Sequence, residues 1–196
     1  SFRGNSQNNG VTSAATPRSA EETELKWAVK HSTGWTDGPN PMLIVDDSLV
    51  VLYGNSIKKL SLETGEVLAS SQMCASTSWG SVPAAYADGI IFCPLGGGTV
   101  QAFNAKTLEP LWSYADALGG QAQSPIACAD GKIYVGFGYN GEYAFVCLDA
   151  ADGSLVWRQT DEKGYYWAGA VVVGDYVVCG SDSGHLCSRN KDTGAV

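Results

Sequence analysis

The stretch Cys179–Val196, CGSDSGHLCSRNKDTGAV, gathers the residue types that do chemistry. Asp182, Ser183 and His185 are the ingredients of an activated hydroxyl nucleophile. Cys179, His185 and Cys187 are the donor types of a zinc site. Their spacing argues against both. Ser183 falls in the turn of a hairpin and His185 on its outgoing arm, so alternation along a strand does not bring them together. The other histidine of the chain, His31, lies in a connecting segment. Neither has a strand–turn–helix nucleophile elbow around it. A turn serine and a surface histidine are the favoured reading, and no residue is assigned a catalytic or metal-binding role.

The cysteines read in the same way. Cys74, Cys93, Cys128, Cys147, Cys179 and Cys187 are even in number but show no CxxC spacing. A chain of this length does not need a disulfide scaffold. Cys93 and Cys179 align with Leu52 and Val135 in one apolar strand slot, where a free thiol serves as a small hydrophobe. Cys147 aligns with Ala102 and Ser188, and Cys187 with Val146, Gln101 and Lys58. Reduced thiols used for packing are expected.

Those alignments come from an internal repeat. Four segments superimpose, beginning LIVDDSLVVLYG, AAYADGIIFCPL, IACADGKIYVGF and VVVGDYVVCGSD. Each has a first turn (Asp47-Ser48, Asp88-Gly89, Asp130-Gly131, Gly174-Asp175) and a second (Thr64-Gly65, Thr107-Leu108, Asp152-Gly153, Thr193-Gly194). The turns recur every 41 to 45 residues. That period, with short β-branched and aromatic runs between turn residues, indicates propeller blades rather than a helical solenoid. GIIFCP, KIYVGF and DYVVCG are second strands. TVQAFNA and YAFVCLDA are third strands, and LEPLW and GSLVW fourth strands ending on Trp112 and Trp157. The predicted fold is all-β: a β-propeller of four-stranded antiparallel blades.

Trp27, in ELKWAV, occupies the repeat position of Ala69, Trp112 and Trp157. It belongs to a fourth strand with no strands of its own before it, while the last repeat stops where its fourth strand should begin. ELKWAV could therefore close a four-bladed ring, or the chain could be about half of a larger ring completed by a second copy or by further residues. Residues 1–23 read as an irregular arm and 24–196 as the propeller segment. The chain starts without Met and without a signal-like apolar stretch, as a processed or trimmed segment would, so an export signal is expected to lie outside it.

Bulk properties limit the partners. Of 196 residues, 44% are hydrophobic and 16% charged, with 24 glycines, which suits short strands and tight turns. The net charge of −8 and the absence of a Lys/Arg cluster exclude nucleic acid and anionic membrane surfaces as partners. No apolar run reaches the roughly 18 residues of a membrane-spanning helix.

The run DGKIYVGFGYNGEYAFVCLDAADGSLVW resembles the repeat of the quinoprotein-like propellers, named for pyrroloquinoline quinone (PQQ) enzymes; DGIIFCPLGGGTVQAFNAKTLEPLW does so more loosely, and FRGNSQNNG looks like the lead-in of bacterial members. The likeness covers about residues 25–196 and is of the bacterial, non-enzymatic type. The family's dehydrogenases imply an eight-bladed ring, PQQ, calcium held by carboxylates and amides, and often a vicinal Cys-Cys disulfide. No two cysteines are adjacent here and no catalytic Asp matches by motif, so neither PQQ nor calcium is expected.

What remains is a binding surface. The loops leading into each innermost strand read STGWTDGPNP, CASTSWGSVP, LGGQAQSP and EKGYYWAG. In propellers such loops gather at one mouth of the central channel. Trp35, Trp79, Gln121, Gln123, Tyr165, Tyr166 and Trp167 are the candidate ligand- or partner-binding residues, since aromatic and amide groups can stack on and hydrogen-bond a ligand. Packing between blades is the competing role for each. The functional expectation is a non-catalytic binding or scaffold module of a secreted or cell-surface bacterial protein, whose partner is a protein or extracellular ligand. The alternatives are a PQQ-dependent oxidoreductase or its relic, and a structural half-propeller completed as a homo-oligomer.

Overall fold

The computed structural model describes residues 15, 17–30, 41–77, 82–117, 124–139, 142–160, 164–165, 169–181 and 184–196. Apart from one 3-10 turn at Ala20–Glu22, the regular structure of these residues is β. Most of the predicted arm, residues 1–14 and 16, lies outside the described residues.

Four antiparallel sheets follow one another along the chain. Blade 1 holds β1 (Leu43–Val45), β2 (Ser48–Tyr53), β3 (Ser56–Ser61) and β4 (Val67–Gln72). Blade 2 holds β5 (Ala85–Ala87), β6 (Ile90–Leu95), β7 (Thr99–Asn104) and β8 (Pro110–Ala115). Blade 3 holds β9 (Ala127–Ala129), β10 (Lys132–Tyr139), β11 (Glu142–Asp149) and β12 (Leu155–Thr160). Blade 4 has β13 (Val171–Val173), β14 (Tyr176–Gly180) and β15 (Leu186–Asn190). Strands lie in chain order within every sheet, as hairpin connections require. The fourth strands of blades 2 and 3 run three residues past Trp112 and Trp157, further than the sequence suggested, because the third strands remain available for pairing there.

Two turns per repeat set this register. The first needs a left-handed residue, supplied by Asp46, Asp88, Asp130 and Gly174 (φ 51°, 49°, 50° and 58°). In blade 1 the turn is therefore Asp46-Asp47, one residue before the Asp47-Ser48 expected from sequence. The slot shared by Cys93, Val135 and Cys179 consequently falls on Val51 rather than Leu52. All four slot residues are at most 2% exposed, so the thiols there do pack as hydrophobes. None of the six cysteines is in a disulfide. Burial pushes the Cys93 thiol well above its ordinary range and that of Cys128 up to about 12.

The core lies between blades rather than within them. One cluster joins Leu43, Val50 and Ile57 of blade 1 to Ile91, Cys93 and Phe103 of blade 2. A second joins Phe92 and Val100 to Ile133 and Val146, and a third joins Tyr134, Phe145 and Trp157 to Val177 and Cys179. The inner strands of blades 2 and 3 are thus sandwiched, which explains runs such as IIFC and YAFVC that are apolar on both faces.

The ring is not closed. Innermost strands pack in the succession β1, β5, β9, β13, and at its two ends Ile44 and Val173 are 68% and 61% exposed. The segment ELKWAV does not complete blade 4 within the same chain, because Trp27 is held at blade 1, its indole N–H donating to Leu62 O at 2.9 Å. Of the two rings considered from sequence, the closed four-bladed one is therefore not the structure.

Candidate partner-binding face

The link leaving each fourth strand must cross the blade edge to reach the next innermost strand, and hydrogen bonds show where it runs. After β4, Met73 N donates to Asn55 O and Thr77 N to Gly54 O, both in the β2–β3 turn. Gly96 N, in the β6–β7 turn, donates to Ser76 O, and Thr77 bridges Leu95. The backbone N–H of Cys74 donates to Oε1 of Gln101, a buried amide on β7. After β8, Asp116 N donates to Gly98 O. The links and the second-to-third-strand hairpins therefore share one face of the arc. The short first turns and the third-to-fourth-strand turns occupy the opposite face, where Lys191 pairs with Asp130 at 2.6 Å and Lys132 with Asp192 at 3.0 Å.

Of the seven residues proposed from sequence for this face, Trp35, Trp79, Gln121, Gln123, Tyr166 and Trp167 lie outside the described residues. Tyr165 is described and does not present itself to a ligand. Its side chain is 1% exposed and its ring centroid is 5.0 Å from that of Phe145. It fills space left by Gly136, where an added Cβ would sit 2.3 Å from the Tyr165 Cβ. Tyr165 thus packs in the core cluster that joins blades 3 and 4. Ser124, in the link before β9, holds the same spot from the other side: Gly136 N donates to Ser124 Oγ at 2.7 Å. The sequence carried a signal for this crossing, since glycines inside a strand, as in VGFGY, mark close approach of another segment.

The structure also shows a charged group that sequence reasoning missed. Asp116 follows β8 with a side chain only 1% exposed. Arg158 of blade 3 reaches it with two parallel bonds, Nε to Oδ2 at 2.8 Å and Nη2 to Oδ1 at 3.0 Å. The Tyr114 hydroxyl donates to Oδ2 at 3.1 Å. Bidentate pairing is the strong form of such contacts and offsets burial of the carboxylate. Burial, with the Asp116 charge second, pushes the Tyr114 phenol up to about 12. With three donors on it, this carboxylate fastens blade 2 to blade 3 and is not presented as a base.

The hairpin that opened the chemical question is a turn. Gly184 N donates to Ser181 O and Ser181 N to His185 O, both at 3.0 Å, with Gly184 left-handed at φ 78°. His185 is exposed, and Asp182 and Ser183 lie outside the described residues. Among the described residues no three His, Cys, Asp or Glu side chains converge so as to hold a metal ion.

The profile of a protein family described as "Outer membrane protein assembly factor BamB" matches the chain over residues 18–159 and 53–196. Among solved structures the chain is similar to BamB from Moraxella catarrhalis, with 18% identity and a TM-score of 0.64, over 78% of this chain and 49% of that one. It is similar to the computationally designed Ika4 protein (14% identity, TM-score 0.67, 86% and 98% covered). It is also similar to a europium-containing methanol dehydrogenase (15% identity, TM-score 0.70, 88% and 42% covered). At these identities the likeness is one of fold. The chain spans about half the length of the BamB structure. No curated protein matches it.

Proposed function

The chain belongs to the BamB-like family of PQQ-type propeller proteins, and from that premise we propose that it is a non-catalytic scaffold that binds a protein or an extracellular ligand at or beyond the bacterial cell surface. Family membership supports protein interaction and the cell envelope in general terms; secretion and the docking face are this proposal's own. The observation that carries it is the stitching of the links to the second-to-third-strand hairpins on one face. Loops fastened at their bases to a rigid arc can hold aromatic and amide side chains with little loss of freedom on binding. Trp35, Trp79, Gln121, Gln123, Tyr166 and Trp167 are the proposed contacts, and the scaffold works without PQQ or calcium.

The test is site-specific photocrosslinking in a bacterial host envelope. A photoreactive side chain replacing Trp79 should give a discrete adduct that one replacing Lys106, in the β7–β8 turn on the opposite face, does not. Equal adducts from both positions would overturn the choice of face. Dye-linked dehydrogenase activity with added PQQ and calcium would overturn the non-catalytic reading.

A further inference from the structure

Pairing of β14 with β15 sets two cysteines directly against each other, Cys179 against Cys187. Elsewhere among the described strands a cysteine faces another residue type. Cys93 opposes Gln101, Cys128 opposes Ile133, and Cys147 opposes Tyr134 and Trp157. The corresponding pair in blade 3 is Val135 and Val146, so packing at this position needs only aliphatic groups and does not call for two sulfurs. Opposed side chains leave a sheet on the same side. Here that side faces blade 3, where both cysteines pack with Tyr134, Phe145 and Trp157. The pair is thus defined by one hairpin and one inter-blade junction, both within the described chain.

Hydrogen bonds fix the kind of opposition. Ser181 N donates to His185 O on one side of the pair, and Lys191 N to Asp175 O on the other. Bonded and non-bonded pairs alternate along an antiparallel ladder, which makes Cys179 and Cys187 a hydrogen-bonded pair. Such pairs stand about 5.5 Å apart at Cα, inside the disulfide range of about 4.4–6.8 Å. Cross-strand Cβ atoms stand about 4.5–5.5 Å apart, whereas a disulfide holds them at about 3.5–4.5 Å. Closing the bond therefore pinches the two strands together by about 1 Å. A disulfide under such strain is readily reduced. Cys147 is the third thiol of the cluster and belongs to another sheet. Facing sheets lie about 10 Å apart, beyond the limit of about 7 Å between Cα atoms that a disulfide spans without backbone movement.

We propose that Cys179 and Cys187 form a reversible redox site: a small disulfide oxidant joins them in a strained cross-strand bond, and thiol reductants reopen it. The thiolate of one cysteine attacks the oxidant's disulfide, releasing one reduced thiol and leaving a mixed disulfide. The second cysteine gives up its proton and displaces the other reduced thiol. Two protein thiols and one external disulfide thus become one protein disulfide and two external thiols. The bond ties the arms of the β14–β15 hairpin at its base, on the face that the hairpins share with the links. The site is independent of which partner that face binds and of where the protein is located.

Trypsin leaves both cysteines in one peptide, residues 164–189, which has no internal Lys or Arg. The folded, unmodified chain is equilibrated with excess oxidised glutathione and alkylated with iodoacetamide in denaturant. Mass spectrometry should then find this peptide unalkylated and lighter by two hydrogen atoms. Exchange into excess reduced glutathione before alkylation should return the same peptide with two alkyl groups. Two alkylated cysteines after the oxidising step would overturn the proposal, as would a glutathione adduct on either or a cross-link to another peptide. A bond that survives excess reduced glutathione would be a structural disulfide and would overturn its reversibility.

Discussion

The junction between blades 1 and 2 and the junctions that follow it perform one task with different parts. Between blades 2 and 3, Trp112 lies over Gly153, whose φ is 74°. A Cβ there would come within 2.4 Å of the indole, so glycine is required both for the left-handed turn and for the space. Trp157 and Gly194 repeat this between blades 3 and 4, with an approach of 2.7 Å. Between blades 1 and 2 the indole is replaced by Ala69 and the glycine by Leu108, which keeps a left-handed φ of 59° and is 1% exposed. The turn carbonyl that would accept from an indole, Ala105 O, accepts from Lys59 Nζ at 3.0 Å instead. What the junction conserves is therefore filled volume and a satisfied carbonyl, and which blade supplies each is open. A left-handed leucine costs about 1–2 kcal/mol, and its burial returns about 2.

This comparison can be broken experimentally. The largest effect is expected for Gly153→Ala, which combines a left-handed Cβ with a collision against Trp112; about 3 kcal/mol of stability should be lost in urea denaturation. Leu108→Gly should lose less, about 2 kcal/mol, because the cavity it leaves is partly offset by relief of the turn. Loss equal to that of Gly153→Ala would show that the left-handed leucine is not strained. The exchange is sharper still. Ala69→Trp should be destabilising alone, and joined to Leu108→Gly it should recover at least about 1 kcal/mol relative to the sum of the single changes. Additive effects would mean that the two positions do not share one space. Lys59→Met should cost about 1 kcal/mol, the worth of one partly exposed hydrogen bond.

Alkali probes the blade 2–3 junction from another side. Tyr114 and Cys128 both have folded pKa values raised to about 12, from 10.0 and 9.0, chiefly by burial. Raised values mean that the folded chain holds protons the unfolded chain has released. Their contribution is thus fully present below about pH 9 and is lost as pH rises towards 12. Unfolding midpoints measured across that range should fall, and Tyr114→Phe should make the fall shallower. A slope unchanged by the substitution would remove the phenol from this account.

Much of the fold was legible because each repeat spells its turns. Thr64-Gly65, Asp152-Gly153 and Thr193-Gly194 were found from sequence, and the structure makes Gly65, Gly153 and Gly194 left-handed. Leu108 was placed correctly by alignment alone, although its residue type gives no hint of a positive φ. The first turn of blade 1 slipped by one residue because three consecutive polar residues, Asp46, Asp47 and Ser48, all suit a turn; only pairing of Val45 with Ser48 decides among them. The candidate face was less legible. Tyr165 read as a loop aromatic that could bind a ligand or pack between blades, and the gap that buries it exists only when Gly136, about thirty residues away in sequence, is brought beneath it.

By itself, then, the sequence determined the all-β repeat, the number of sheets, the use of Cys93 and Cys179 as core residues and the kinship of Trp27 with Trp112 and Trp157. These follow from local alternation and turn chemistry, which act over a few residues. The tertiary structure decided that the arc stays open, that Tyr165 packs inward, and that Asp116 meets Arg158 across a blade boundary. Each of these depends on which side chains share a space, and that is fixed only when one blade is set against the next.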